Sequence, residues 1–191
     1  MVLFPAGAKV WPKKSAPAAE PEWTAMSRGE YIAALSLTPK TKPAVRAYMK
    51  KEIKRLSASG YAVATMRDSL VARIEIPASQ LFAANDSTVS ETGKKKLRAL
   101  LPSRPTDYRV WVSVHTSDVG SADYLERFSQ ARAQSVADAL SKKVQTVVSH
   151  GIADREPIAK NDSYIGREAN RRVEICLIPS DALVERLNVK K

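Results

Sequence analysis

One arginine sits where an apolar residue belongs. If Ser121–Lys142 is a helix, Leu125, Phe128, Val136 and Ala139 fall within one narrow stripe, and Arg132 falls in its middle. A guanidinium turned to the apolar side is costly unless acceptors meet it. Two readings follow. Its head reaches past the helix edge to water or pairs with an internal acid, or it is a fixed fork held for a ligand carboxylate. Just upstream, the strand ending at His115 runs into the polar loop Thr116-Ser117-Asp118-Val119-Gly120. Such a loop, at the carboxyl end of a strand and leading into a helix, is where open α/β sheets bind ligands. Asp118 and Arg132 would then offer opposite charges across one cleft, which suits a zwitterion. The alternative for Asp118 is a helix N-terminal acid that complements the dipole.

Other chemistries find little support. His115 and His150 are far apart, with no local metal-ligand spacing, so no metal site is expected. Cys176, the single cysteine, cannot form an intrachain disulfide and on a strand reads as a small buried apolar residue. Trp11, Trp23 and Trp111 show no basic–aromatic interleaving of the kind that binds single-stranded nucleic acid. No Ser/His/Asp set, carboxylate pair or phosphate loop is visible, so neither catalysis nor a cofactor is expected.

The elements that must position Arg132 read as follows. Residues 1–26 form a Pro- and Ala-containing linker, punctuated by Pro5, Pro12, Pro17 and Pro21. Residues 27–60 form a basic helical segment. Ser27 with Glu30 makes a capping box before a short helix over Tyr31–Leu37. A second helix opens near Thr41, with Pro43 tolerated in its first turn and Gly60 placed to end it. Val45, Tyr48, Met49, Ile53 and Leu56 recur at helical spacing and should bury against the domain or a partner. From Tyr61 the period becomes two. Tyr61–Met66 and Leu70–Ile76 flank the turn Arg67-Asp68-Ser69 as a hairpin, with Leu70, Ala72, Ile74 and Ile76 on one face. Ser90–Leu101 is helical, Leu97 inward and Lys94-Lys95-Lys96 outward. Tyr108, Val110, Val112 and Val114 alternate as a strand. Thr146–Ser149 is a short strand and Arg171–Ile178 a strong one. This alternation implies an α/β sandwich, helices packed on a mixed, partly parallel sheet. Residues 179–191 are a tail, as a short helix or an extended piece.

The 191 residues carry 31 Lys+Arg against 20 Asp+Glu, a net charge of +11, and 44% are hydrophobic, enough for an ordinary core. Residues 1–56 hold 11 of the basic and 4 of the acidic groups, so the excess sits in the first third. It favours polyanions: nucleic acid, anionic lipid or acidic wall polymers. No apolar run approaches the roughly 20 residues of a membrane-spanning helix. Met1–Val10 has no basic residue before its apolar part, and Pro5, Gly7 and Lys9 interrupt it, so no export signal is visible.

Leu81–Leu177 resembles the OmpA-like domain of outer-membrane proteins, peptidoglycan-associated lipoproteins and flagellar stator proteins. The matching pieces are Leu81–Asp86, the strand into His115-Thr116, Glu126–Ala133, Glu156–Asn161 and Gly166–Ile175, the last being the most specific. The order and spacings agree across about half the chain. The resemblance implies an OmpA-like βαβαβ sandwich that binds the peptidoglycan stem peptide noncovalently, chiefly its diaminopimelate residue. In the family an aspartate in the loop after the second strand meets the ammonium, and an arginine on the following helix meets the carboxylate. Arg132 sits at the arginine position, which turns its two readings toward the ligand fork. The family aspartate falls on Ser117, and an early helical asparagine falls on Leu125. A serine hydrogen-bonds but supplies no charge. Losing a charged partner costs about 1.5–3 kcal/mol. The resemblance also puts Asn170 and Arg171 beside the binding region, where anchoring the sheet edge is the alternative role for Arg171.

The expected site is therefore Arg132, Asp118, Ser117, Thr116, Arg171 and Asn170, on a periplasmic, outer-membrane-associated protein whose export signal would lie upstream of Met1. Envelope proteins are the expected partners of the N-terminal segment. Two rivals stand beside this reading. One is an interaction protein of the same fold with weakened or lost wall binding, which Ser117 and Leu125 favour. The other is a cytoplasmic polyanion binder, which the basic first third favours.

Overall fold

A computed structural model describes residues 27–33, 37–144 and 146–188; the expected linker lies outside them. Its elements are α1 (Arg28–Ala33), α2 (Lys42–Ser57), β1 (Ala62–Met66), β2 (Val71–Pro77), α3 (Glu91–Leu100), β3 (Tyr108–His115), α4 (Ala122–Ser141), β4 (Thr146–Ala153), α5 (Tyr164–Asn170), β5 (Arg172–Pro179) and α6 (Asp181–Asn188). The sheet runs β1-β2-β5-β3-β4. All neighbours are antiparallel except β3 and β4. The fold is a mixed α+β sandwich.

Period-two patterning decides which way each strand faces. Ala72, Ile74 and Ile76 of β2, Val110, Val112 and Val114 of β3, and Val173, Ile175 and Leu177 of β5 point into the main core. They meet Val45, Met49 and Leu56 of α2, Leu97 and Leu100 of α3, Ala133, Val136 and Leu140 of α4, and Leu183 of α6. Each Val, Leu, Ile or Met among them contributes about 1.5–3 kcal/mol on burial. The amphipathic stripe of α2 is thus spent on the domain itself: Val45, Met49 and Leu56 are fully buried, Tyr48 and Ile53 partly so.

The opposite face carries Val71, Trp111, Cys176 and Ile178, packed with Ile32 of α1. The Ser27 capping box forms: the Ser27 N–H donates to Glu30 Oε2 at 2.8 Å and the Glu30 N–H to Ser27 Oγ at 3.3 Å. The helix it opens starts earlier than the sequence pattern suggests, at Arg28.

Three further departures have local causes. The hairpin turn Arg67-Asp68-Ser69 holds three consecutive left-handed residues without glycine. Arg46 offsets this cost by donating to the Asp68 carbonyl at 3.0 Å and its carboxylate at 3.2 Å. Strand β4 continues past Ser149 to Ala153 because it lies directly on α4. A Cβ at Gly151 would stand 2.3 Å from the Gln130 nitrogen, so only glycine fits that approach. The tail begins with α6, whose Arg186 pairs with the buried Asp107 at 2.5 Å.

Candidate binding cleft

The carboxyl end of β3 opens into a cleft with two adjoining lobes. Asn85, Phe128, Arg132 and Arg171 line both. The larger lobe, about 550 Å3, lies between the Ala78–Asn85 loop and α5. The smaller, about 170 Å3, lies between the β3–α4 loop and the first turns of α4. Short local signals build this frame. Ser121 caps α4 by accepting from the Tyr124 N–H at 3.3 Å, which fixes where the helix begins and so where Arg132 points. A bridge from Phe82 to Val89 closes the front loop, and Asn85 turns it with a left-handed φ of 56°.

Arg132 is 6% exposed. Its Nε donates to the Asp86 carbonyl at 2.8 Å. Its guanidinium carbon lies 4.2 Å from the Phe128 ring centre and 4.6 Å from that of Phe82. The rings and the carbonyl make the buried charge tolerable. Among the described residues no carboxylate forms an ion pair with it, and its Nη groups have no hydrogen-bond partner. Burial pulls its pKa below the usual arginine value; Tyr124 and Asp86 oppose that shift, and the charge of Arg171 adds to it.

The expected site residues divide by placement. Thr116 and Ser117 are buried in the wall of the smaller lobe. Thr116 donates its backbone N–H to the Ala153 carbonyl at 2.8 Å, and its hydroxyl has no partner among the described residues. Ser117 Oγ accepts from Arg171 Nη1 at 3.1 Å. Arg171 precedes β5, as the residue that ends α5, rather than sharing the strand face of Val173 and Ile175. Its Nε donates to Glu168 Oε1 at 2.9 Å, and its Nη2 contacts the same oxygen. Asp118 is exposed and lies outside the cleft wall.

Asn170 does not line the cleft. It is fully buried and accepts from the Ile158 and Ala159 N–H groups while donating to Ala159 O and Asn161 Oδ1, each within 3.0 Å. These bonds use its amide on the loop before α5. Its role is to hold that loop, which sets the position of Arg171.

Phe82, Asn85, Tyr164 and Glu168 complete the wall and were not singled out by type or spacing. They come from a loop without a hydrophobic period and from a seven-residue helix. Their only sequence signal is that they fall in or beside the matched stretches Leu81–Asp86 and Gly166–Ile175.

Behind the cleft, on the outer sheet face, lies a second charged cluster. Buried Glu174 accepts from Arg172 Nε at 3.0 Å and Nη2 at 2.9 Å, and from Arg28 Nη1 at 2.5 Å. His115 Nε2 stands 3.6 Å from the same carboxylate. Burial pushes the His115 pKa down to about 4, the Arg172 charge assisting and Glu174 opposing. Glu174 is lowered despite its burial, through His115 and the surrounding guanidiniums.

No protein-family model matches the chain. It is 29% identical over 130 residues to a probable lipoprotein, YiaD, of Escherichia coli (strain K12), covering 65% of this chain and 58% of that protein. It is 30% identical over 116 residues to outer membrane protein A of Bordetella avium, covering 58% and 60%. The chain thus spans about three fifths of these relatives. Among solved structures, the cell wall anchor of the T6SS from Pseudomonas aeruginosa matches with a TM-score of 0.57 and 28% identity, covering 71% of this chain and 99% of that one. A MotB-like protein from Desulfovibrio vulgaris shares the fold, with a TM-score of 0.58 at 20% identity, covering 74% and 93%. Among the described residues no helix is long and apolar enough to cross a membrane.

Proposed function

We propose that this chain, which carries an OmpA-like domain and is a binding module rather than an enzyme, holds bacterial peptidoglycan noncovalently in the cell envelope. The reading rests on one observation above all. Arg132 is buried between two aromatic rings with its Nη groups unpaired among the described residues and facing a cleft. Keeping such a guanidinium desolvated is costly, and a ligand carboxylate recovers that cost through charge-assisted hydrogen bonds. The stem peptide supplies carboxylates, and the lobes give room for its neighbours. The similarity to a cell wall anchor, a probable lipoprotein and an outer membrane protein supports the same reading and a periplasmic, outer-membrane-associated place.

In this account Arg132 receives the carboxylate of diaminopimelate. Ser117 and Thr116 form the polar wall, Arg171 adds a second positive charge, and Asn170 acts at a distance by fixing the loop. Asp118 stays at the rim, so the carboxylate contact carries the binding.

Sedimentation with purified insoluble peptidoglycan tests this. Wild type should be retained at moderate salt and Arg132→Ala should not. Equal sedimentation of the two would assign retention to general positive charge. Absence of wild-type retention would favour an interaction module of an envelope assembly, the reading to which Ser117 points.

A further inference from the structure

The charges of the cleft are unequal. Two guanidiniums line both lobes, and among the described residues Glu168 is the only acid in either wall. Glu168 already accepts two N–H groups of Arg171, and Ser117 accepts another. The carboxylate of Asp86 is turned to the Thr88 N–H at 2.8 Å, leaving only its carbonyl for Arg132. An ammonium entering the cleft would face two cations and no free carboxylate, an arrangement that penalises burial of its charge.

A neutral N–H is a different visitor. It needs one acceptor, and the wall of the smaller lobe carries an unused one: the buried Thr116 hydroxyl, on a residue 6% exposed, has no hydrogen-bond partner among the described residues. Val119, Tyr124 and Phe128 beside it offer apolar surface for whatever the nitrogen carries. A single carboxylate between Arg132 and Arg171 is attracted to both.

We propose that the cleft prefers a carboxylate ligand whose neighbouring amine is acylated over the corresponding zwitterion. This rests on the peptidoglycan reading above. In wall chemistry it means selection of stem peptides whose diaminopimelate amine is already joined in an amide, the cross-linked form, over those with a free amine. Arg132 holds the carboxylate, and Thr116 Oγ accepts from the amide N–H.

The test is calorimetry of the full chain with a synthetic stem peptide ending in diaminopimelate, its terminal amine either free or acetylated. The acetylated peptide should bind at least about threefold more tightly, a modest gain of one neutral hydrogen bond. Tighter binding of the free-amine peptide would overturn the proposal and leave peptidoglycan binding intact. Binding of neither peptide would overturn both. Thr116→Val, nearly isosteric and checked for folding by its melting curve, should weaken the acetylated peptide about tenfold or less and the free-amine peptide by a smaller factor. An equal loss for both peptides would overturn the assignment to Thr116.

Discussion

Two buried arginines, Arg132 and Arg172, are almost equally hidden, at 6% and 5% exposure, yet they sit in opposite environments. Arg172 lies against Glu174, whose other oxygen takes Arg28 from the far end of the chain, with Arg73 at 3.8 Å. That cluster carries its counter-charge within it, although Arg172 Nη1 is buried without a hydrogen-bond partner among the described residues. Arg132 lies between two phenylalanines and gives one N–H to a carbonyl. It is open on the side that faces the cleft. The same side chain is thus structural where its counter-charge is built in and, in the function proposed above, receptive where it is not. Burial alone does not distinguish them; the missing carboxylate does.

The largest effect should come from breaking the Glu174 cluster. Glu174→Gln removes the one acid that Arg172, Arg28 and Arg73 share, and unpairing a buried charge costs about 3–5 kcal/mol. Urea unfolding should show that loss, and a near-neutral result would remove the contrast with Arg132.

Next comes acid sensitivity. His115 is held neutral with its pKa near 4, below an unfolded value of 6.5. The unfolded chain therefore takes up the proton first, and stability falls as pH drops from about 6.5 toward about 4. The full contribution is about 3 kcal/mol, reduced by any relaxation around the ring. The depressed pKa of Glu174 acts in the same direction below 4.5. Replacing His115 by Gln should flatten the slope between pH 6.5 and 4, and an unchanged slope would assign it to other groups.

Arg132→Ala should behave the other way round from Glu174→Gln. Its unfolding free energy should move by about 1 kcal/mol or less, since the truncation removes a ligand group. Stem-peptide affinity should fall about 10–100-fold by calorimetry. A large loss of stability would make Arg132 a second structural arginine. The smallest effect is expected from Ser117→Asp. It adds an acid beside Arg171, which should raise affinity for the free-amine peptide roughly threefold, short of a full ion pair because Arg171 shares it.

Most of the fold was legible because period and capping are local. The alternation of β2, β3 and β5 and the stripe of α2 pointed to the right core faces, and the position of Arg132 in its stripe marked the cleft. What escaped depends on distant partners. Arg172-Val173-Glu174 reads as alternation in an ordinary strand, and nothing near it announces Arg28, which is 146 residues away. Helix α5 is seven residues long, with Tyr164 and Ile165 exposed, so it has no apolar period to find. Strand β4 looked finished at Ser149 because Gly151 breaks the pattern, yet that glycine is what lets the strand lie on α4. Asn170 looked like a ligand group because it neighbours Arg171. Its hydrogen bonds into the 158–161 loop could be known only from the fold.

The most direct test of the contrast is a titration of the 15N-labelled chain with the acetylated stem peptide, followed by NMR with the arginine Nε–H signals assigned. The signals of Arg132, Arg171 and the Thr116–Ser117 backbone should shift with one common affinity, while those of Arg172 and Arg28 stay still. Shifts spread over the basic surface of α2, or centred on the Arg172–Glu174 cluster with Arg132 unmoved, would contradict the account.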